Sequence, residues 1–123
     1  MRKLFHVLTA TLLMAGSAAM AAPPTKVVDG ILVGTDGMTL YTFDRDTAGN
    51  GKSVCNGGCA TAWPPLMAAD TDTPAGDYTL VVRDDGKKQW AYKGKPLYYF
   101  NQDTKAGDKT GDNYNKVWQL VRP

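Results

Sequence analysis

The side chains that could do chemistry in this 123-residue chain are few, and most of them sit in two loops. Cys55 and Cys59 are the only cysteines and are separated by Asn56-Gly57-Gly58. The glycines let the backbone turn back on itself, so the spacing predicts a small disulfide ring that pins the loop ahead of Trp63. A thiol oxidoreductase would instead use a two-residue spacer and a helix N-terminus that lowers the thiol pKa, and neither is evident. Left reduced, the two thiolates could hold copper(I) together with Met38 or Met67, because soft sulfur ligands suit that ion.

Oxygen ligands offer a second metal reading. Asp44, Asp46 and Asn50 lie in the first loop, and Asn101, Asp103, Asp108 and Asp112 in or beside the second. The helix-loop-helix calcium loop needs oxygens at its first, third and fifth positions, Gly at the sixth and Glu at the twelfth. Counted from Asp44, the fifth position is Ala48 and the twelfth is Cys55, so only Gly49 at the sixth agrees further. A calcium site here would need another geometry. Paired carboxylates could also serve a weak hydrolase, as they do in glycosidases. Asp is nonetheless the residue expected in turn-rich sequence, where its side chain bonds its own backbone. Asp46 and Asp103, each followed by Thr, fit that bonding pattern.

His6 is the only histidine, and it lies in the leader described below. Its loss with the leader removes imidazole metal sites, haem attachment through Cys-x-x-Cys-His, and the usual general base of a Ser-His-Asp arrangement. Gly49-Asn50-Gly51 and Gly57-Gly58 lack the lysine and the strand-to-helix setting of a phosphate cradle. The chemistry-bearing residues therefore favour a non-enzymatic protein that needs no cofactor, with calcium or copper as the metal alternatives.

The elements that position these loops come in two copies. Leu40-Tyr-Thr-Phe-Asp-Arg-Asp-Thr47 returns as Leu97-Tyr-Tyr-Phe-Asn-Gln-Asp-Thr104, and each copy leads through a Gly-rich polar stretch to a Trp. Such a repeat describes architecture better than chemistry. Upstream, Arg2 and Lys3 precede an apolar run from Leu4 to Met14 and small residues from Gly16 to Ala22. That three-part pattern predicts a signal peptide over residues 1–21, cut after Ala21, with Ala19 and Ala21 as the small-x-small site. The apolar run falls well short of the roughly 20 residues that cross a bilayer. No Cys stands at the cut to accept a lipid.

Removing Arg2 and Lys3 from the fourteen basic residues leaves twelve, against twelve acidic ones that are all Asp. A net charge near zero excludes a nucleic-acid footprint and a polybasic membrane surface. The absence of Glu, with thirteen Gly and seven Pro, points to turns rather than helices.

Lys26 to Val33 and Met38 to Phe43 read as two strands joined at Asp36-Gly37, and Tyr78 to Arg83 and Lys88 to Tyr92 as two more around Asp85-Gly86. Leu97 to Asn101 and Val117 to Val121 read as further strands, and Ala60 to Trp63 as one helical turn stopped by Pro64-Pro65. The apolar stretches are short and keep no helical period, so the fold class is all-β. Residues two apart in a strand share a face, which puts Tyr41 with Phe43 and Tyr98 with Phe100, opposite Leu40 and Leu97.

One copy alone could not bury its apolar face. Residues 22–123 therefore read as one small pseudo-symmetric domain of two tandem hairpin-based repeats, about 26–68 and 78–123, built as a sandwich or a partly closed barrel. Two pseudo-equivalent aromatic cores are expected to use Tyr41, Phe43, Trp63, Tyr98, Phe100 and Trp118. The alternative for those rings is a stacking surface for a sugar, a polyphenol or haem.

Asp36 to Asp44, Cys55-Asn-Gly-Gly-Cys-Ala60 and Trp63-Pro-Pro-Leu66, in that order, resemble a bacterial family of secreted repeats and predicted lipoproteins. The family is named for a Tyr-x-aromatic-x-x-Asp motif, which falls on Tyr41, Phe43 and Asp46 and again on Tyr98, Phe100 and Asp103. The resemblance implies an exported envelope module, β-rich and of uncharacterised role. Without the lipid-acceptor Cys of many relatives, it implies release into the periplasm or medium. The second copy lacks the Cys pair and the Trp-Pro-Pro element. Expected partners are an envelope protein or a small ligand, with no nucleic acid and no transmembrane segment after cleavage.

Overall fold

Asp29 and Gly30 both have positive φ, 51° and 77°, as a two-residue turn between antiparallel strands requires. The computed structural model describes residues 22–123, and here this turn divides the expected first strand into β1 (Thr25–Val28) and β2 (Ile31–Gly34). Asp-Gly is itself a hairpin signal, and it overrides the β-branched run around it. The expected signal peptide over residues 1–21, with His6, lies outside the described residues.

The other edge of β2 meets the chain after the Asp36-Gly37 turn, through Gly34 N–H to Met38 O at 2.8 Å and Leu40 N–H to Leu32 O at 3.1 Å. The remaining elements are β3 (Tyr41–Phe43), α1 (Gly58–Ala62), β4 (Met67–Ala68), β5 (Tyr78–Val82), β6 (Lys88–Tyr92), β7 (Lys95–Pro96), a 3-10 turn (Tyr114–Lys116) and β8 (Trp118–Leu120). The 3-10 turn falls where the sequence suggested only loop.

The β5–β6 hairpin repeats the β1–β2 plan. Val28 pairs with Ile31 as Val81 does with Gln89, and Thr25 with Gly34 as Tyr78 with Tyr92. The second hairpin then runs on through Val82 and Lys88, closing with Arg83 N–H to Lys87 O at 2.8 Å.

The two copies join along a seam centred on Tyr41 and Tyr98, which exchange backbone hydrogen bonds of 2.8 and 3.0 Å. Each copy's Trp-bearing segment crosses to the other copy's motif. That motif is β3 in the first copy and, in the second, a segment with isolated bridges at Tyr98 where a strand over Leu97 to Asn101 was expected. β8 pairs with β3, so that Phe43 faces Trp118, and Asp44 N–H reaches Val117 O at 2.7 Å. Reciprocally, Tyr99 N–H reaches Pro64 O at 2.7 Å and Asn101 N–H reaches Ala62 O at 2.9 Å. Leu32 N–H to Val121 O and Trp90 N–H to Leu66 O extend the same crossing, at 2.9 and 2.8 Å. An approximate two-fold relation therefore organises the molecule, and its strands form two two-stranded sheets and one four-stranded sheet in a sandwich-like, all-β arrangement.

Tyr41 lies with Phe43 and Tyr98 with Phe100 on the side opposite Leu40 and Leu97, as expected from period-2 alternation. The expectation of two pseudo-equivalent aromatic cores is corrected. Because the Trp segments cross over, the aromatics of both copies share one core with Trp63 and Trp118. The opposite core is largely aliphatic, made of Leu32, Leu40, Leu66, Leu97 and Val121 around Trp90.

Candidate functional site

The motif tyrosines and aspartates are partners across the seam. Tyr41 donates its hydroxyl proton to Asp103 Oδ2 at 2.7 Å, and Tyr98 donates to Asp46 Oδ2 at 2.6 Å. A tight turn delivers each aspartate, with Asp46 N–H bonding Phe43 O at 3.0 Å and Asp103 N–H bonding Phe100 O at 3.1 Å. The second carboxylate oxygens are used as well. Asp46 Oδ1 accepts from Val54 N–H at 2.8 Å, and Asp103 Oδ1 from Thr110 N–H at 2.9 Å and from the Thr110 hydroxyl. Burial, followed by the facing carboxylate, pushes both phenols well above their ordinary pKa. The repeated motif is thus a pair of crossed latches.

That arrangement bears directly on the metal reading. Asp46 and Asp103 are buried with both oxygens bonded. Asn50 Oδ1 accepts from Lys52 N–H, and Asp44 accepts from Gln119 across the surface. Asp108 Oδ2 gathers Thr104 N–H, Lys105 N–H and the Thr104 hydroxyl, which hold its carboxyl below the usual range. Asp112 is exposed. Among the described residues, no group of three or more His, Cys, Asp or Glu is placed to hold a metal ion. Cys55 and Cys59 form a disulfide, so in this form they offer no thiolates to copper beside Met38 or Met67.

The rings are turned on one another rather than outward. Phe43, Trp118, Trp63 and Phe100 form a continuous face-to-face stack, with successive centroids 4.2, 3.8 and 3.9 Å apart. Each of the four is at most 8% exposed, which leaves no open face for a sugar, a polyphenol or haem.

The two-fold relation breaks down between the disulfide loop and the second hairpin. In the first copy, the disulfide and α1 replace what the second copy builds as a plain loop and a 3-10 turn. In the second copy, the hairpin is extended, and the extension carries Arg83. These two departures meet. The Arg83 guanidinium is buried and donates to Cys55 O at 2.6 Å, Asn56 Oδ1 at 3.1 Å, Ser53 Oγ at 3.1 Å and Gln89 Oε1 at 2.7 Å. All four acceptors are neutral, so its charge is spread over a polar network rather than cancelled by a contacting carboxylate. Ser53 continues that network to the Tyr98 hydroxyl, 2.6 Å away, and so to Asp46.

Beside this junction lies a cleft of about 410 Å³ between the disulfide loop and the tip of the extended hairpin, lined by Asn56, Ala60, Pro65, Met67, Asp84 and Lys87 among others. Met67 is 41% exposed on it. Sequence reasoning did not single out Arg83. Its signal was the longer second hairpin, which shows only once the two copies are compared strand by strand.

No helix among the described residues is long and apolar enough to cross a membrane. No curated protein and no solved structure matches the chain. A family described as a secreted repeat of unknown function matches residues 25–67 and again residues 79–122, the two halves that the seam brings together. The chain belongs to this family of exported, secreted repeats and carries the repeat twice.

Proposed function

We propose that the protein is a non-enzymatic scaffolding module of the bacterial envelope that engages a partner protein through the cleft beside the disulfide loop. One observation carries the reading: both departures from the internal two-fold, the Cys55–Cys59 loop and the Arg83-bearing hairpin extension, meet at the same place and frame the cleft. Whatever the two copies share serves to build the fold. A feature present once, pinned by a covalent bond and by a buried guanidinium, is preorganised for recognition. The exposed Met67 supplies a soft, adaptable contact at the edge of that frame.

The test is photo-crosslinking in the producing cell, with a photoreactive residue placed at position 67 or 87 in the cleft, or at position 26 on the opposite hairpin. A discrete protein adduct from 67 and 87, absent from 26 and weakened by Arg83→Lys, is the expected result. Lysine keeps the charge but cannot reach four acceptors in a planar fork. Equal adducts from all three positions, or none from 67 and 87, would overturn the reading.

A further inference from the structure

The seam between the copies has the properties of a subunit interface. Its contacts are reciprocal, as in an isologous dimer: Tyr41 to Asp103 and Tyr98 to Asp46, Phe43 on Trp118 and Phe100 on Trp63. The turns obey the same rule. Gly94 lies against Gly49, with Gly49 N–H bonding Gly94 O at 3.0 Å, while Gly37 lies against Ala106. Even the pseudo-equivalent Thr25 and Tyr78 meet, hydroxyl to hydroxyl, at 2.8 Å. These bonds join residues up to Ala68 with residues from Tyr78 onward.

Only the connector 69–77, a largely exposed polar segment, makes the association intramolecular. We infer that a second copy of this chain is a partner for it. Opened at the connector, two chains exchange halves and form the same seam twice, each first half closing on the other chain's second half. A closed monomer dominates in dilute solution, because a short connector holds the halves at an effective concentration of about a millimolar. Exchange takes over where the connector cannot close or where the chains fold at comparable concentration.

The geometry defines the experiment. Ala68 pairs with Lys88 on one edge of β6, and Tyr78 pairs with Tyr92 on the other edge. The connector must therefore pass around β6, between points separated by two strand spacings and four residues of rise, roughly 16 Å in a straight line. Deleting residues 71–75 leaves a reach of at most about 17 Å, too little to go around a strand. Native mass spectrometry of this variant is expected to show a doubled mass with an unchanged β-sheet circular dichroism spectrum. A folded monomer, or a chain that fails to fold, would overturn the inference.

The unaltered residues 22–123 give an independent measure. Isotope-labelled and unlabelled chains, unfolded together and refolded from micromolar to millimolar concentration, are expected to yield mixed dimers in a fraction that rises with concentration. No mixed dimer at any concentration would overturn it equally.

Discussion

Trp63 and Trp118 lie face to face, ring centroids 3.8 Å apart and planes within 4° of parallel, and each comes from a different copy of the repeat. Phe43 covers the outer face of Trp118, and Phe100 covers that of Trp63. Removing either phenylalanine opens one end of a closed stack that strands from both copies frame, so the space cannot easily collapse. Phe43→Ala and Phe100→Ala are each expected to cost about 3 to 5 kcal/mol. Urea unfolding followed by tryptophan emission measures this, and a loss below about 1 kcal/mol for both would refute the core assignment.

The crossed latches make stability depend on pH on the alkaline side. A phenol ordinarily ionises near pH 10. In the folded state, burial and the facing Asp103 or Asp46 raise Tyr41 and Tyr98 well above that, and burial pushes Tyr99 up to about 12. The folded chain then keeps protons that the unfolded chain releases. The latch contribution is therefore intact below about pH 10 and declines as pH rises beyond it. Urea midpoints measured from about pH 8 to about pH 11 should fall, and Tyr98→Phe should flatten the fall. At neutral pH the same substitution removes one bond from the buried Asp46 carboxylate and should cost about 1 to 3 kcal/mol.

Much of this arrangement was legible in the sequence, and the reason is local. Strand alternation put Tyr41 with Phe43 and Tyr98 with Phe100, and the glycine spacing in a chain expected to be exported suggested the Cys55–Cys59 ring. Asp46 and Asp103 read as aspartates of Asx-type turns, but each accepts one backbone N–H bond from farther along its own loop, from Val54 and Thr110. Their other oxygens reach tyrosines more than 50 residues away, and no local pattern announces that.

The crossing of the Trp segments was hidden for the same reason. A repeat fixes what each copy can form but leaves open which copy each strand pairs with. Arg83 was missed because its burial depends on the Cys55 loop arriving from the other copy, while in sequence it reads only as a charge beside a turn. The Asp29-Gly30 turn was visible in principle, but the β-branched residues around it read as one continuous strand.

The disulfide closes a ring of only five residues, Cys55 to Cys59, so the chain-entropy contribution is about 2 kcal/mol. Cys55 is fully buried in the aromatic cluster, and its carbonyl is held by Arg83, which ties the ring to the rest of the fold. Mild reduction should lower the Tm by on the order of 10 °C for a folded unit of this size. Calorimetry with and without reductant checks this, and an unchanged Tm would show that Arg83 and the packing hold the loop unaided.

Gly58 in the disulfide loop and Gly111 against the aromatic core should respond differently to an added methyl group. Gly111 sits under the rings of the first copy, where an added Cβ would come within 2.8 Å of Trp63 Cζ3 and Cη2 and 2.9 Å of Tyr41 Cζ. Its N–H also bonds the Tyr41 hydroxyl at 3.1 Å, so the backbone cannot withdraw without loosening the latch. Gly111→Ala is expected to cost at least about 1 to 3 kcal/mol, the usual range for overpacking a filled core. Gly58 opens α1 with nothing within 4 Å of a Cβ and an ordinary φ, so Gly58→Ala should be neutral or stabilising by up to about 1 kcal/mol through the unfolded state. Thermal unfolding of the two variants side by side checks the pair. Similar losses in both would mean that the aromatic packing over Gly111 is looser than these distances require.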